Sequence, residues 1–235
     1  MPFFILQEPY SKLLTILARG DGKLYSSLHK AKIGDSFGQE MILELIENKI
    51  IYMVNSREKP IKEFEKQLIK KEYKDYKIEP KLFFYKPFFR FWFSIIHPSI
   101  DKYGYINKEK VLYFFNRYNK RLKSLIFEQL SIELLKEHFK DDKIVEVASF
   151  WDRFSEFDIY AKTANNKKII GECKYTNRQL TKAQIVKLEK KISQSNLEYD
   201  FLALFSKSGF SNEINRLNRK NLLLFKLEDF NRLLK

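Results

Sequence analysis

Asp158, Glu172 and Lys174 are the residues whose types and spacing suit chemistry. Asp158 lies in Phe157-Asp158-Ile159-Tyr160, and the other two in Ile169-Ile170-Gly171-Glu172-Cys173-Lys174. Both runs read as β-strands, joined by a short charged turn over Thr163 to Lys168, which puts Asp158 near the end of its strand. Side chains alternate faces along a strand, so Glu172 and Lys174 point the same way and Cys173 points the other. Two carboxylates and an ammonium on one sheet surface can hold a hard divalent cation and set a water against a phosphate. That is phosphodiester hydrolysis.

The tripeptide Glu-x-Lys is weak by itself, since it also starts at Glu47, Glu72, Glu79 and Glu189. Only the copy at Glu172 follows an apolar β-branched run and has an Asp-bearing strand before it. The competing reading is a solvated strand face, because charges on an exposed edge strand cost little. Cys173 is the single cysteine, which excludes an internal disulfide and a cysteine zinc site; its side chain is expected in the core. His29, His97 and His138 lie far apart and lack metal-ligand spacing.

The positioning elements begin with an N-terminal region, 1–86. Leu13, Leu14, Ile16 and Leu17 form the apolar stripe of a first helix ended by Gly20-Asp21-Gly22. A second helix spans Leu24 to Lys32. A third has Ser36 as its expected cap and Met41, Ile42, Leu45 and Ile46 as its buried side. Strands follow at Ile50 to Val54 and Leu82 to Tyr85, so the region reads as a winged helix-turn-helix. Its third helix carries Glu40, Glu44 and Glu47, which suits packing or protein contact as well as base reading. Lys23, Lys30 and Lys32 on and around the second helix are the better candidates for nucleic acid. Arg57 to Lys81 is a charged stretch with apolar residues at helical spacing.

Residues 87–122 read as a helical connector. It opens in the aromatic run Phe84 to Phe93, expected to fill a core rather than to stack bases, and includes a basic helix starting at Lys108. From 123 to 235 the pattern is helix (Leu125 to Phe139), three strands (Lys143 to Ala148, Ser155 to Ala161, Lys168 to Tyr175), then a helix over Thr181 to Asn196. A strand over Asp200 to Phe205, a short helix, a strand over Leu222 to Phe225 and a last helix complete it. The order predicts an α/β domain (α+β over the whole chain) with a mixed sheet flanked by helices.

The chain has 235 residues, enough to bury a sizeable core, and a net charge of +14. Residues 1–122 hold 23 Lys+Arg against 14 Asp+Glu, and residues 123–235 hold 21 against 16, so no basic tail explains the excess. A spread charge of this size favours an anionic partner, DNA first, against the plainer alternative of a Lys-rich proteome. The N-terminus has no basic region ahead of its short apolar run, and Phe88 to Ile96 is too short for a span and contains Arg90. A cytoplasmic protein without membrane segments is expected.

The order of elements, with Glu128 on the helix, Asp158 on the second strand and Glu172-x-Lys174 on the third, resembles the PD-(D/E)XK phosphodiesterase superfamily. Phe157 stands where that family's name has proline. The runs Tyr85 to Phe93, Phe127-Glu128, Glu156-Phe157-Asp158-Ile159 and Gly171-Glu172-Cys173-Lys174 look closer still to one branch: the C-terminal domain of unknown function on archaeal and bacterial P-loop ATPases. That resemblance covers roughly residues 9–235, since the domain usually follows a winged helix. No Gly-x-x-x-x-Gly-Lys-Ser/Thr occurs in this chain, so nucleotide hydrolysis by that route is excluded.

The resemblance implies that Asp158, Glu172 and the backbone carbonyl of Cys173 bind Mg²⁺ or Mn²⁺, with Lys174 orienting the nucleophile or offsetting phosphate charge. Glu128 would hold a second metal or its water, and Glu156 would be a further ligand or a rim charge. Lys182, Gln184 and Lys187, opening the next helix, are candidates for phosphate contact. Two functions stay open: a metal-dependent DNA endonuclease, or a non-catalytic DNA-binding or regulatory module that has kept the fold. A second copy of this chain, or an ATPase on a separate chain, is the protein partner the resemblance suggests.

Overall fold

The computed structural model describes residues 2–56, 66–68, 79–152 and 155–234. The chain divides into two compact units, Met1–Leu122 and Lys123–Lys235. It is α+β, with a five-stranded mixed sheet in the second unit. Among the described residues no helix is long and apolar enough to cross a membrane.

In the first unit, α1 (Tyr10–Arg19) buries Leu13, Leu14, Leu17 and Ala18 and stops at Gly20, whose N–H donates to Ile16 O at 2.7 Å. Gly22 then takes φ +80°, and a Cβ there would sit 2.6 Å from Leu82 O, so only glycine lets the chain pass that strand. Helix α2 (Leu24–Ala31) packs on α3 (Asp35–Glu47) through Gly38, where a Cβ would come 2.6 Å from the Leu28 side chain. The expected cap at Ser36 is not used: α3 starts two residues earlier, from Gly34, whose carbonyl accepts the Gly38 N–H.

Strand β1 (Ile51–Val54) pairs antiparallel with β2 (Lys81–Phe84), in register from Ile51–Phe84 to Val54–Lys81. The helical stretch expected over Arg57 to Lys81 lies outside the described residues except for 66–68 and 79–81.

The aromatic run forms α4 (Pro87–Phe91), continued by a π turn over Trp92–Ile96 and a 3-10 turn over His97–Ser99. Phe89 and Phe93 join Phe84 in the unit's core, while Tyr85 and Phe88 are exposed. Arg90, buried beside them, donates to Ala18 O and lies 5.2 Å from the Phe84 ring. These contacts explain how a cation sits within an apolar run.

One helix, α5 (Lys108–His138), stands where two were expected, over Lys108 to Lys123 and Leu125 to Phe139. No glycine or proline separates the two patterns, so nothing stops the first helix from continuing.

The second unit is a sheet in the order β3-β4-β5-β6-β7. β3 (Ile144–Trp151), β4 (Glu156–Thr163) and β5 (Lys168–Lys174) are antiparallel, and β5, β6 (Phe201–Ser206) and β7 (Leu222–Lys226) are parallel. β3 runs three residues beyond its expected end at Ala148, past a register shift, and buries Phe150 and Trp151. Residues from α5, Phe127, Leu134 and Leu135, cover one face of the sheet together with Ile159, Ile169 and Cys173. Helix α6 (Lys182–Gln194) covers the other through Ile185, Leu188 and Ile192, each contributing about 1.5–3 kcal/mol by burial. Helix α7 (Asn212–Asn215) adds Ile214 to that layer. The helix expected over the last residues is a 3-10 helix, Leu227–Leu234.

Candidate functional site

The site forms where β4 and β5 part. Their pairing runs from Lys162–Lys168 to Ile159–Gly171, and continuing that register would set Asp158 opposite Glu172. There the Asp158 side chain intervenes, its Oδ2 accepting the Cys173 N–H at 2.7 Å. Asp158 is the third residue of β4, near its start rather than its end, which puts it at the same sheet edge as the end of antiparallel β5. Because the N–H and C=O of one strand residue point the same way, the Cys173 carbonyl is also directed toward β4, the side where Asp158 lies.

Glu172 and Lys174 share a face with Ile170, on the side covered by α6. Lys174 Nζ donates to Glu172 Oε1 in an ion pair with side-chain exposures of 37% and 15%. Burial, the charge of Glu172 and that of Glu156 push the Asp158 carboxyl up to about 6, against the pull of the Cys173 N–H and Lys174. Burial opposes the charge of Lys174, yet Glu172 and Asp158 outweigh it and hold its pKa above the ordinary lysine value. Lys174 is therefore a cation at neutral pH, suited to stabilising charge and unsuited to accepting a proton.

Cys173 is buried on the α5 face, where desolvation and the charge of Asp158 push its thiol well above the ordinary value. It is not a thiolate ligand or nucleophile. Glu128 sits half-buried on α5, on this same side, and its charge acts on the Cys173 thiol. Ser131, one turn further along α5, is buried and donates its hydroxyl to Phe127 O at 2.7 Å. Among the described residues, no three His, Cys, Asp or Glu gather into a group that could hold a metal. Asp158 and Glu172 are thus a two-carboxylate set that neither Glu128 nor Glu156 completes.

The donor chemistry still suits a hard divalent ion. Burial and the charges of Glu172 and Glu156 keep Asp158 at about 6 even with the Lys174 ammonium nearby, so a further cation is favoured there, and Mg²⁺ typically binds through one or two carboxylates and keeps several waters.

The phosphate-contact candidates separate. Lys182 and Lys187 are exposed on α6. Gln184 is taken up by the helix start, its Oε1 accepting the Thr181 N–H at 2.7 Å, so its side chain caps α6 rather than facing a ligand. Lys191 is the α6 residue that sequence reading missed: its Nζ donates to Glu156 O and lies 5.9 Å from the Phe157 ring. The only signal was its place one helical turn beyond Lys187. In the first unit Lys23, Lys30 and Lys32 are all exposed, on α2 or beside its ends.

No curated protein and no solved structure matches this chain. Residues 92–188, the span that carries Glu128, Asp158, Glu172, Cys173 and Lys174, match the family model DUF234, described as archaeal and bacterial proteins of unknown function.

Proposed function

We propose that the second unit is a metal-dependent nuclease hydrolysing DNA phosphodiester bonds, on the PD-(D/E)XK plan. The observation that carries this reading is the convergence of Asp158, Glu172 and Lys174 at the parting of β4 and β5. Asp158 and Glu172, with the Cys173 carbonyl, would hold Mg²⁺ or Mn²⁺. When bound, the ion supplies Lewis-acid charge and a water of lowered pKa. The Cys173 N–H fixes the Asp158 carboxylate, so one ligand is oriented before any ion or substrate arrives. The Lys174 ammonium, held over the site by Glu172, offsets charge developing on the phosphate oxygens.

The first unit, three helices followed by an antiparallel strand pair, is on this reading a winged-helix contact domain. It reaches DNA through Lys23, Lys30 and Lys32 on and beside α2 rather than through the acidic α3. Its setting is cytoplasmic, and its protein partner is a second copy or a separate ATPase chain.

The test is plasmid nicking by wild type and Lys174→Ala with Mg²⁺ or Mn²⁺. Cleavage that needs the ion and falls by about 10²-fold or more in the variant supports the reading. DNA binding without cleavage under every condition would replace it with a non-catalytic binding module.

A further inference from the structure

Charged residues from four neighbouring strands meet at one edge of the sheet. β4 begins there, with Asp158 at its third residue, and β5 ends there with Glu172 and Lys174. β6 leads directly into Lys207, and β7 ends with Lys226. The parallel register pairs Lys174 with Ser206 and Ser206 with Lys226, so these strand ends are level. At about 4.8 Å between strands, the backbones of Lys174 and Lys226 lie roughly 10 Å apart.

Beside them opens a cleft of about 440 Å³ whose lining includes Gln179, Lys207, Ser208, Asn215, Lys226 and Glu228. The C-terminal edge of parallel strands is where open sheets receive ligands. The cleft wall is tied to the candidate site, because the Lys207 N–H donates to Lys174 O at 3.0 Å. Its loop is held in place. Gly209, at φ +73°, accepts from Ser206 Oγ at 2.8 Å and from the Leu180 N–H at 3.0 Å, and Ser208 Oγ donates to Thr176 O at 2.6 Å.

Lys207 Nζ is steadied by neutral groups, donating to Asn177 Oδ1 at 2.7 Å and lying 4.9 Å from the Tyr175 ring. Two lysines and two amides therefore face one carboxylate, Glu228. That balance suits an anion with several acceptor oxygens.

We propose that this cleft is a phosphate subsite, in which Lys207 and Lys226 hold the phosphate of a nucleotide flanking the one at Asp158, Glu172 and Lys174. The assignment rests on the reading of that site as one for nucleic-acid phosphodiesters. It makes the ligand a polynucleotide lying along the sheet edge, rather than a free nucleotide or inorganic phosphate.

The test measures binding, not cleavage: the affinity of the full chain for a labelled DNA oligonucleotide in EDTA, across a salt series. Lys207→Gln with Lys226→Gln is compared with Lys143→Gln with Lys220→Gln, two exposed lysines just before β3 and β7 at the opposite edge. The first pair is expected to weaken binding about tenfold and to lower the salt slope by about 0.9 for each phosphate no longer neutralised. The second is expected to stay within about twofold, and inorganic phosphate at the same ionic strength is expected to compete no better than chloride.

Equal weakening by both pairs, or no DNA binding by wild type, overturns the proposal. Selective competition by inorganic phosphate reassigns the cleft to a small anion and overturns it too. A chain that never cleaves yet binds through Lys207 and Lys226 refutes the nuclease reading and leaves the subsite standing. Matching thermal midpoints of both double variants and wild type exclude misfolding as the cause.

Discussion

The backbone N–H of Cys173 donates to Asp158 Oδ2 at 2.7 Å, so one residue of the central strand orients the carboxylate of its neighbour while hiding its own thiol in the core. The bond replaces a ladder hydrogen bond at the point where β4 leaves β5. It holds Asp158 in a half-buried place beside Glu172, where desolvation and the neighbouring negative charge disfavour its ionised form.

That cost sets a pH dependence. The Asp158 pKa of about 6 in the folded protein exceeds its ordinary value of 3.8, so between those values the folded state holds the proton more tightly than the unfolded state. Stability from this group is full below about pH 4 and is lost as pH rises through 6. Asp158→Asn keeps an oxygen for the Cys173 N–H and removes the charge. The variant is expected to be more stable than wild type by on the order of 2–3 kcal/mol above pH 7 and equal to it near pH 3.5. Urea unfolding at the two pH values checks this, and an Asn variant no more stable at pH 7 refutes it.

The same two carboxylates predict a response to metal. Mg²⁺ or Mn²⁺ at ten times its Kd should stabilise the wild type by about 1.4 kcal/mol, an effect reversed by EDTA. Asp158→Asn should lose the shift, and so should wild type at pH 5, where the proton competes for Asp158. Thermal melting with and without each ion reads both effects; a shift that survives in the Asn variant would place the ion elsewhere.

Much of this was legible in the chain. Alternation of Ile170, Glu172 and Lys174 is a local property of one strand, and it set two of the three site residues on one face. Gln184 and Ser36 show where local reading stops. Both sit at helix starts, but the N–H groups there are served by Thr181 with Gln184 in one case and by Gly34 in the other, and the choice depends on how the preceding turn enters. Glu128 depends on helix phase. It occupies a helix of the expected kind, half-buried on the side of the sheet where Cys173 lies, and its charge reaches that thiol. The cleft at Lys207 and Lys226 was not legible, because residues 33 and 52 positions beyond Lys174 meet it only through parallel pairing.

Gly171 tests how tightly the strand is packed beneath the site. A Cβ there would lie 3.0 Å from Ile159 Cβ and 3.3 Å from Ala203 O, and neither atom belongs to a flexible chain end. Gly171→Ala should therefore destabilise by about 1–3 kcal/mol through displacement of β4 or β6, despite alanine's lower chain entropy. A lowered urea midpoint is expected, and an unchanged or raised one would show that Ile159 can give way.

The first unit is tested by separating its charge from that of the second. Lys23, Lys30 and Lys32 are exposed around a short helix, whereas on α3 Glu44 accepts from the Tyr10 hydroxyl and helps hold α1 to α3. Phosphate binding through α2 predicts that the triple Gln variant lowers the salt slope of DNA binding by about 0.9 for each phosphate left without its lysine, with weakening uniform across sequences. Glu40→Gln and Glu47→Gln should leave that slope unchanged if α3 packs or meets protein, and should strengthen binding if α3 approaches the phosphates. An oligonucleotide titration at three salt concentrations distinguishes the cases. A flat response to both sets of variants would remove the first unit from DNA binding and leave the sheet edge of the second as the whole interface.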